Sequence, residues 1–583
     1  MKKRVAILLT LFMLVAFVAG CGGPGKDPVA PADTTTTPAA TSTQNVGAGT
    51  SIEEAASQSD TSQAAADKTG LPVSNKSISI SFSENCITLD PHDGPNSGTG
   101  IVQNMYNERL IITDNAGTYY PWLATDWTYS EDGKEWIFNL RQDVTFSNGE
   151  PFDADDVVCT YQRYIDEYTA LNGPKSSFPL DENGDSLLVS IEKLSQYQVK
   201  IVLNRTYATV LSSFSNVSII PNETFAKEGP AMWANQNCVA TGPWVLQEWI
   251  DGQYARFAKN PTYWNKANYD PYYDEVYIRC VLEPSSAAAA HISGDTVANI
   301  VAGGIDPDML ALYAGTESKT QLISYYVNSY YYMGFNCAED RPFYDINMRR
   351  AFEYAIDRQA ICDAIMGGGV AINSVIPEGI IGYDADLPNY EYDVEKAKEC
   401  LAAANYDGRE ITLSSNTSTT KAQDQLLAMQ GYLEEAGFKI RVEVVENATL
   451  LEMRTSGNYD AFLVITMHTA SDAGSILYMR VGSVVDYHKH SFVNEELNAL
   501  ILKGNETVDD VERGKIYQQV AKIMREVSGP HYALYAPNAT QAIDYGIVGL
   551  ELWVSGNHCF RFVDFDPDAT AWRTCDWEQL TNW

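Results

Sequence analysis

Residues Phe138 to Arg163 read FNLRQDVTFSNGEPFDADDVVCTYQR and set a strand, a turn and a capped helix in one unbroken run. Phe138 and Leu140 alternate with polar neighbours, as a half-buried strand requires. Asn148-Gly149 supplies residues that tolerate positive φ, the need of a tight hairpin turn. Asp153 is placed to cap a helix, because its carboxylate can accept a free amide of the first turn and face the positive end of the helix dipole. Val157, Val158 and Tyr161 then return at helical spacing and predict the buried side.

Further blocks extend this pattern in both directions. Ile78, Ile80 and Phe82 alternate as a first strand, followed by LDPHDGPNSGTGIVQNMYNERLI, in which Asp93 to Ser97 lack apolar periodicity and form a loop before a helix. Thr241-Gly242-Pro243-Trp244 and Asn260-Pro261-Thr262-Tyr263-Trp264 mark a strand pair joined by turns, with Trp244 and Trp264 expected in the core. SYYYMGFN, from Ser329, precedes RPFYDINMRRAFEYAIDRQAI, a strand and a helix capped near Asp345 and stopped by Gly367 to Gly369. Beyond it the periodicity predicts helix 393–404, strand 410–415, helix 421–436, strand 439–445, helix 448–455 and strand 459–465. Strands alternating with helices imply a mostly parallel sheet covered on both faces, with ligands beyond the carboxyl ends of the strands.

Taken in order, these blocks resemble the family 5 extracellular solute-binding proteins, the oligopeptide- and dipeptide-binding type that feed ABC importers. That family usually has His where this chain has Ser147 and Thr where it has Asp153. The resemblance runs from about residue 76 to the end. It implies an α/β, two-lobed periplasmic-binding-protein-like fold with a hinge and an extra subdomain in the first lobe. The expected division is a first lobe of 76–327 with an inserted subdomain at about 121–235, a second lobe of 328–540, and a return of 541–583 to the first lobe. It further implies a peptide solute, a permease partner in the membrane, a monomer and no catalysis. Oligosaccharides, other amine solutes and metal complexes remain open as ligands, and so does a non-transport receptor or chaperone on the same fold.

Size and charge agree with this. The chain has 583 residues and begins with Lys2, Lys3 and Arg4, an apolar run through Val18, and Ala19-Gly20-Cys21. We read residues 1–20 as an export signal and Cys21 as a lipid attachment site of lipobox type. Each buried acyl methylene contributes about 0.8 kcal/mol to such an anchor. Residues 21–75 are rich in Ala, Thr, Ser, Pro and Gly, too poor in large apolar groups to offset the entropy of ordering, and are expected to form a tether. A random coil of that length spans about 40 Å. The expected location is therefore the outer face of the cytoplasmic membrane. About 500 residues remain, more than one core serves, so at least two lobes are expected. Without the signal segment, 37 basic residues stand against 76 acidic ones, a formal charge of −39. Such a surface repels nucleic acid and tolerates cationic or zwitterionic solutes.

The candidate binding residues divide by origin. In the relatives implied by the resemblance, the loop holding Asp93, Asn96 and Ser97 lines the ligand cleft. The same relatives carry a Trp after the strand 459–465 and, a few residues on, an Asp that clamps the peptide ammonium. Here those positions are Met467 and Ala470, with His468 between them and Asp472 two residues further on as a candidate replacement. A buried ammonium without a counter-charge costs several kcal/mol. Either Asp472 has taken over the task or the ligand has no such group. From the residues themselves, Tyr330 and Tyr332 share one strand face and Tyr331 the other, so some are core and some can face a ligand. Tyr535, near the returning strand, is a further cleft aromatic.

Other constellations are weaker. His488, His490 and His468 lack the converging donors of a metal site, so no metal or cofactor is expected. Asp181, Asn183, Asp185 and Glu192 match a calcium loop except that Ser186 stands where the turn needs Gly. Ser418 to Lys421 fits SxxK and Lys68-Thr69-Gly70 fits KTG, but in the wrong order and without SDN, and no GxSxG, HExxH or P-loop is present. Nine cysteines remain beside Cys21, an odd number with no CxxC pair. Cys159, Cys362 and Cys400 fall on apolar helix faces where a small hydrophobe suffices.

Overall fold

The computed structural model describes residues 76–94, 96–114, 117–166, 178, 186–326, 329–467, 472–481, 489–552 and 558–582. All of them lie in the compact unit Ala64–Trp583. The signal segment, Cys21 and the tether lie outside the described residues, as do His468, Ala470, His488 and the acidic residues 181–185.

The quoted stretch folds as its pattern requires. Strand Glu135–Leu140 buries Trp136, Phe138 and Leu140 and leaves the alternate side chains more open. It lies inside a four-stranded antiparallel sheet of order 124–129, 135–140, 198–203, 188–195. Helix Ala154–Asp166 buries Val157 and Tyr161 fully, with Val158 half-buried. Its start is a reciprocal cap. Asp153 Oδ1 accepts from the Asp155 amide at 2.8 Å, and Asp156 Oδ2 reaches back to the Asp153 amide at 2.8 Å. The turn differs from expectation in one respect. Only Gly149 has positive φ, at +92°, because the Asn148 side chain accepts from the Glu150 amide and holds that residue in ordinary backbone geometry.

The main sheet has twelve strands. From one edge its order is 440–445, 411–416, 461–467, 329–335, 531–544, 298–300, 77–82, 275–280, 254–259 and 244–250, with 320–326 and 369–371 also pairing with the long strand His531–Asp544. Ser77–Phe82 runs parallel to both Glu275–Cys280 and Ala298–Ile300, and Ile411–Asn416 runs parallel to both Ile440–Val445 and Ala461–Met467. The remaining pairs are antiparallel, so the sheet is mixed where helix-strand alternation predicted a mostly parallel one. The difference arises at the edge strands 244–250, 254–259 and 275–280 and at the strands beside 531–544, which return next to their neighbours without a helical crossover.

Each lobe has its own core. One cluster combines Ile80, Phe82, Trp122, Phe138, Tyr161 and Trp244 with Ile543 and Phe562 from the end of the chain. The other combines Met333, Phe335, Phe352, Leu413, Leu426, Leu463 and Tyr532. Strand His531–Asp544 belongs to both. Up to Pro537 it pairs with 329–335 and 369–371, and from Asn538 it pairs with 320–326 and 298–299. The change of partners falls three residues before the boundary expected at 540. The helical segment after Asp345 is likewise two helices, Ile346–Ala355 and Arg358–Met366, because Asp357 caps a second start by accepting from the Ala360 amide at 3.0 Å.

The nine cysteines among the described residues are all free thiols. Cys362 is buried, while Cys159 and Cys400 are half-buried.

Candidate functional site

The carboxyl end of strand Ser77–Phe82 leads into the loop expected to line a cleft. Asn96 is committed to the fold. Its Oδ1 caps helix Ser97–Tyr106 by accepting from the Thr99 amide at 3.0 Å, and its Nδ2 donates to the Asn85 carbonyl at 3.0 Å. Ser97 is the first residue of that helix and half-buried. Asp93 is different. Its amide donates to the Asp90 carbonyl, but its Oδ1 is withdrawn from solvent without a hydrogen-bond partner. The rest of the loop is anchored by charge, since Arg163 grips both oxygens of Asp90 at 2.8 and 2.7 Å. His92 Nδ1 accepts from Arg163 at 3.2 Å, its Nε2 donates to the Ser218 carbonyl at 2.8 Å, and its ring lies 4.7 Å from that of Tyr164. Burial, reinforced by Arg163, pulls the His92 pKa down to about 4, so it is neutral at ordinary pH.

The tyrosines predicted to face a ligand are core residues. Tyr330, Tyr332 and Tyr535 each have 0% exposure. Tyr330 Oη donates to the Val375 carbonyl at 2.9 Å, Tyr332 stacks on His531 at 3.7 Å, and Tyr535 Oη donates to Gln425 Oε1 at 2.5 Å. Alternation did separate Tyr330 and Tyr332 from Tyr331, which packs in the other cluster. What it could not show is that both faces of this central strand are covered, so neither face is open to a solute. His490 is also internal, bonded to Tyr459 Oη and the Phe335 carbonyl. No metal-binding group of three or more His, Cys, Asp or Glu occurs among the described residues.

Asp472 is not the free carboxylate that the sequence suggested. It is buried, with Oδ1 accepting from the Gly474 amide at 2.7 Å and Oδ2 accepting from Arg513 Nε at 2.6 Å. Burial raises its pKa, and Arg513 and the Gly474 amide oppose that rise. Arg513 is completed by Asp510 at 2.6 Å and by the carbonyls of Thr507 and Val508, both at 2.9 Å. A ligand ammonium would have to displace a guanidinium that is already fully bonded. Met467 ends strand Ala461–Met467, its backbone paired with Ser329, and its side chain, like the whole of His468, lies outside the described atoms.

Around this ion pair the lobes meet. The Ala208 amide of the first lobe donates to the Asn505 carbonyl of the second at 2.9 Å. Tyr119 and Tyr207 of the first lobe lie within the field of Asp472, and burial pushes Tyr119 up to about 12. On the hinge side, Lys421 Nζ bridges to Asp308 at 3.0 Å and Asp306 at 3.6 Å. Sequence reasoning missed Arg513, Tyr119, Tyr207 and Lys421, since no spacing links positions so far apart in the chain. A surface hollow of about 600 Å³ on the first lobe, lined by Thr125, Arg141, Gln142 and Tyr197 among others, lies on the four-stranded sheet instead. Its guanidinium, Arg141, is bonded twice to Asp143.

Comparison with known proteins agrees with this architecture. Residues 118–487 match the family model described as bacterial extracellular solute-binding proteins, family 5 Middle. Heme-binding protein A of Haemophilus influenzae is 26% identical over 72% of this chain and 81% of its own length. Di/tripeptide-binding protein 1 of Pseudomonas aeruginosa is 26% identical over 76% of this chain and 87% of its own. Among solved structures, HbpA2 from Haemophilus parasuis superposes with a TM-score of 0.73 at 22% identity, covering 84% of this chain and 100% of that one. No helix among the described residues is long and apolar enough to cross a membrane.

Proposed function

The chain belongs to the bacterial extracellular solute-binding proteins of family 5, which serve ABC importers, and we propose that it encloses a peptide by hinge closure and passes it to a membrane permease. The observation that carries this reading is the long strand His531–Asp544, which is shared between two separate cores. Together with the neighbouring strands Thr320–Tyr326 and Ser329–Phe335, which pair with its two halves, it links the lobes by strands alone, a construction that can bend while each core stays intact. Closure then depends on contacts that the solute makes better in the closed state than in the open one. Peptide is favoured by the di/tripeptide-binding relative. Asp93 is the member of the expected contact set that supports a ligand role, because its Oδ1 lacks a partner among the described residues. The working form is a monomer held at the membrane by lipid on Cys21, and it breaks no bond in its solute.

The test is the solute itself. Protein purified without denaturation should release a peptide that mass spectrometry identifies, and adding that peptide back should reduce the radius of gyration in small-angle scattering. An oligosaccharide, a metal complex or haem in the extract would replace the peptide assignment, and an unchanged radius at saturation would remove hinge closure. Replacing Cys21 with Ser should move the protein out of the detergent phase, and unchanged partitioning of mature protein would exclude the anchor.

A further inference from the structure

Arg109 stands apart from the paired arginines of the first lobe, and unlike Arg205 and Arg279 it has a buried nitrogen left without an acceptor. Arg141, Arg163 and Arg256 each hold a carboxylate at 2.7 to 2.9 Å. Arg109 forms no such ion pair among the described residues. Its Nη2 donates to Asn104 Oδ1, and its Nε is buried with no partner at all. The backbone leaves it little freedom, for Arg109 bridges to Ser218 on one side and its carbonyl accepts from the Leu123 amide on the other.

The surroundings make the omission costly. Arg561 lies beside it, and it too is satisfied by carbonyls alone, those of Asn104 and Asn107 at 2.7 Å each. Glu108, the nearest carboxylate, is taken by the indoles of Trp122 and Trp264 at 2.7 and 2.8 Å and by Tyr263 Oη at 3.0 Å. Burial and the Arg561 charge draw the Arg109 pKa down to about 10, which leaves it protonated at neutral pH. Arg109 as a whole is half-buried, but a guanidinium N–H withdrawn from water without an acceptor is unfavourable, and a carboxylate oxygen is the acceptor that best fits a guanidinium edge.

The position suits a ligand. Arg561, which shares Asn104 with Arg109, lies three residues after His558. The His558 ring packs edge-on at 6.4 Å against Phe82, the carboxyl-terminal residue of the first strand, and its Nε2 lies 3.5 Å from Tyr325 Oη on a strand that joins the lobes. Solutes of α/β proteins are bound beyond such carboxyl ends.

We propose that Arg109, backed by Arg561, is an anion subsite that receives a carboxylate of the solute. The identity of the solute rests on the importer reading, whereas the anion site does not.

The experiment uses the mature chain as wild type, Arg109→Met, Arg109→Lys and, as a control in which a carboxylate-paired guanidinium is lost, Arg141→Met, with circular dichroism to confirm folding. Tri-alanine, tri-alanine amide, acetate and inorganic phosphate are titrated by calorimetry and thermal shift. Wild type and Arg141→Met should bind tri-alanine in preference to its amide and be stabilised by acetate. Arg109→Met should lose about thirtyfold or more in tri-alanine affinity together with the acetate effect, and Arg109→Lys should keep part of both. Equal binding of tri-alanine by wild type and Arg109→Met would overturn the subsite and leave the importer reading intact. Acetate stabilisation that depends on Arg109, without any peptide binding, supports the subsite and removes the peptide assignment. Stabilisation by phosphate but not acetate, or by neither, overturns the carboxylate subsite.

Discussion

Arg513 in the second lobe is a buried guanidinium and Arg109 in the first is a half-buried one with its Nε enclosed, and the fold treats them in opposite ways. Around Arg513 each nitrogen has an acceptor, two of them carboxylates. Around Arg109 one side-chain amide is the only hydrogen-bond partner among the described residues, and Arg561 shares Asn104 with it. A charge neutralised from within shapes the loop that carries it and has nothing left to offer a solute. A charge left uncompensated keeps its electrostatic demand for a partner from outside. Under the proposed subsite, charged recognition moves from the second-lobe segment after Met467 to Arg109 in the first lobe.

The largest effect expected from this contrast is on stability. Arg513→Ala leaves Asp472 buried and unpaired and should cost about 3 to 5 kcal/mol in urea denaturation. Combining Asp472→Asn with Arg513→Met should recover much of that loss, since the uncompensated charge is then gone. If Arg513→Ala proves as mild as a surface substitution, the two arginines are not opposites.

A smaller effect is expected from pH in the first lobe. His92 is held neutral, with its pKa lowered to about 4 by burial and by Arg163. Its folded pKa lies below its unfolded value, so its contribution is complete above about pH 6.5 and is lost as pH falls towards 4, at most about 3 kcal/mol. His92→Asn should therefore flatten the stability profile between those limits relative to wild type. Parallel profiles for the two proteins would mean that His92 carries no such linkage.

The smallest effect sharpens the comparison most. Arg109→Met removes a cation that has no carboxylate partner and should change stability by less than about 1 kcal/mol, in either direction. A loss as large as that of Arg513→Ala would show that Arg109 supports the fold as Arg513 does.

The sequence by itself determined the elements and their order. Alternation at Trp136, Phe138 and Leu140, the cap at Asp153, and the strands and helices from 393 to 467 are local facts, decided by the two periods of strand and helix and by end chemistry. The resemblance added the two-lobed arrangement and the expected loop at 93–97. Tertiary structure decided which faces were free. Tyr330, Tyr332 and Tyr535 have a composition that suits either a core or a cleft, and only the sheets and helices packed on both sides of their strands made them core. Asp472 looked available because its partner, Arg513, stands 41 residues away on a different helix. Arg109 looked like one more basic residue in a charged chain, and the absence of a counter-charge became visible only when Asn104, Glu108 and Arg561 were brought around it. Local pattern depends on neighbours in sequence, whereas the availability of a charge depends on every group within a few ångströms, and those groups come from everywhere in the chain.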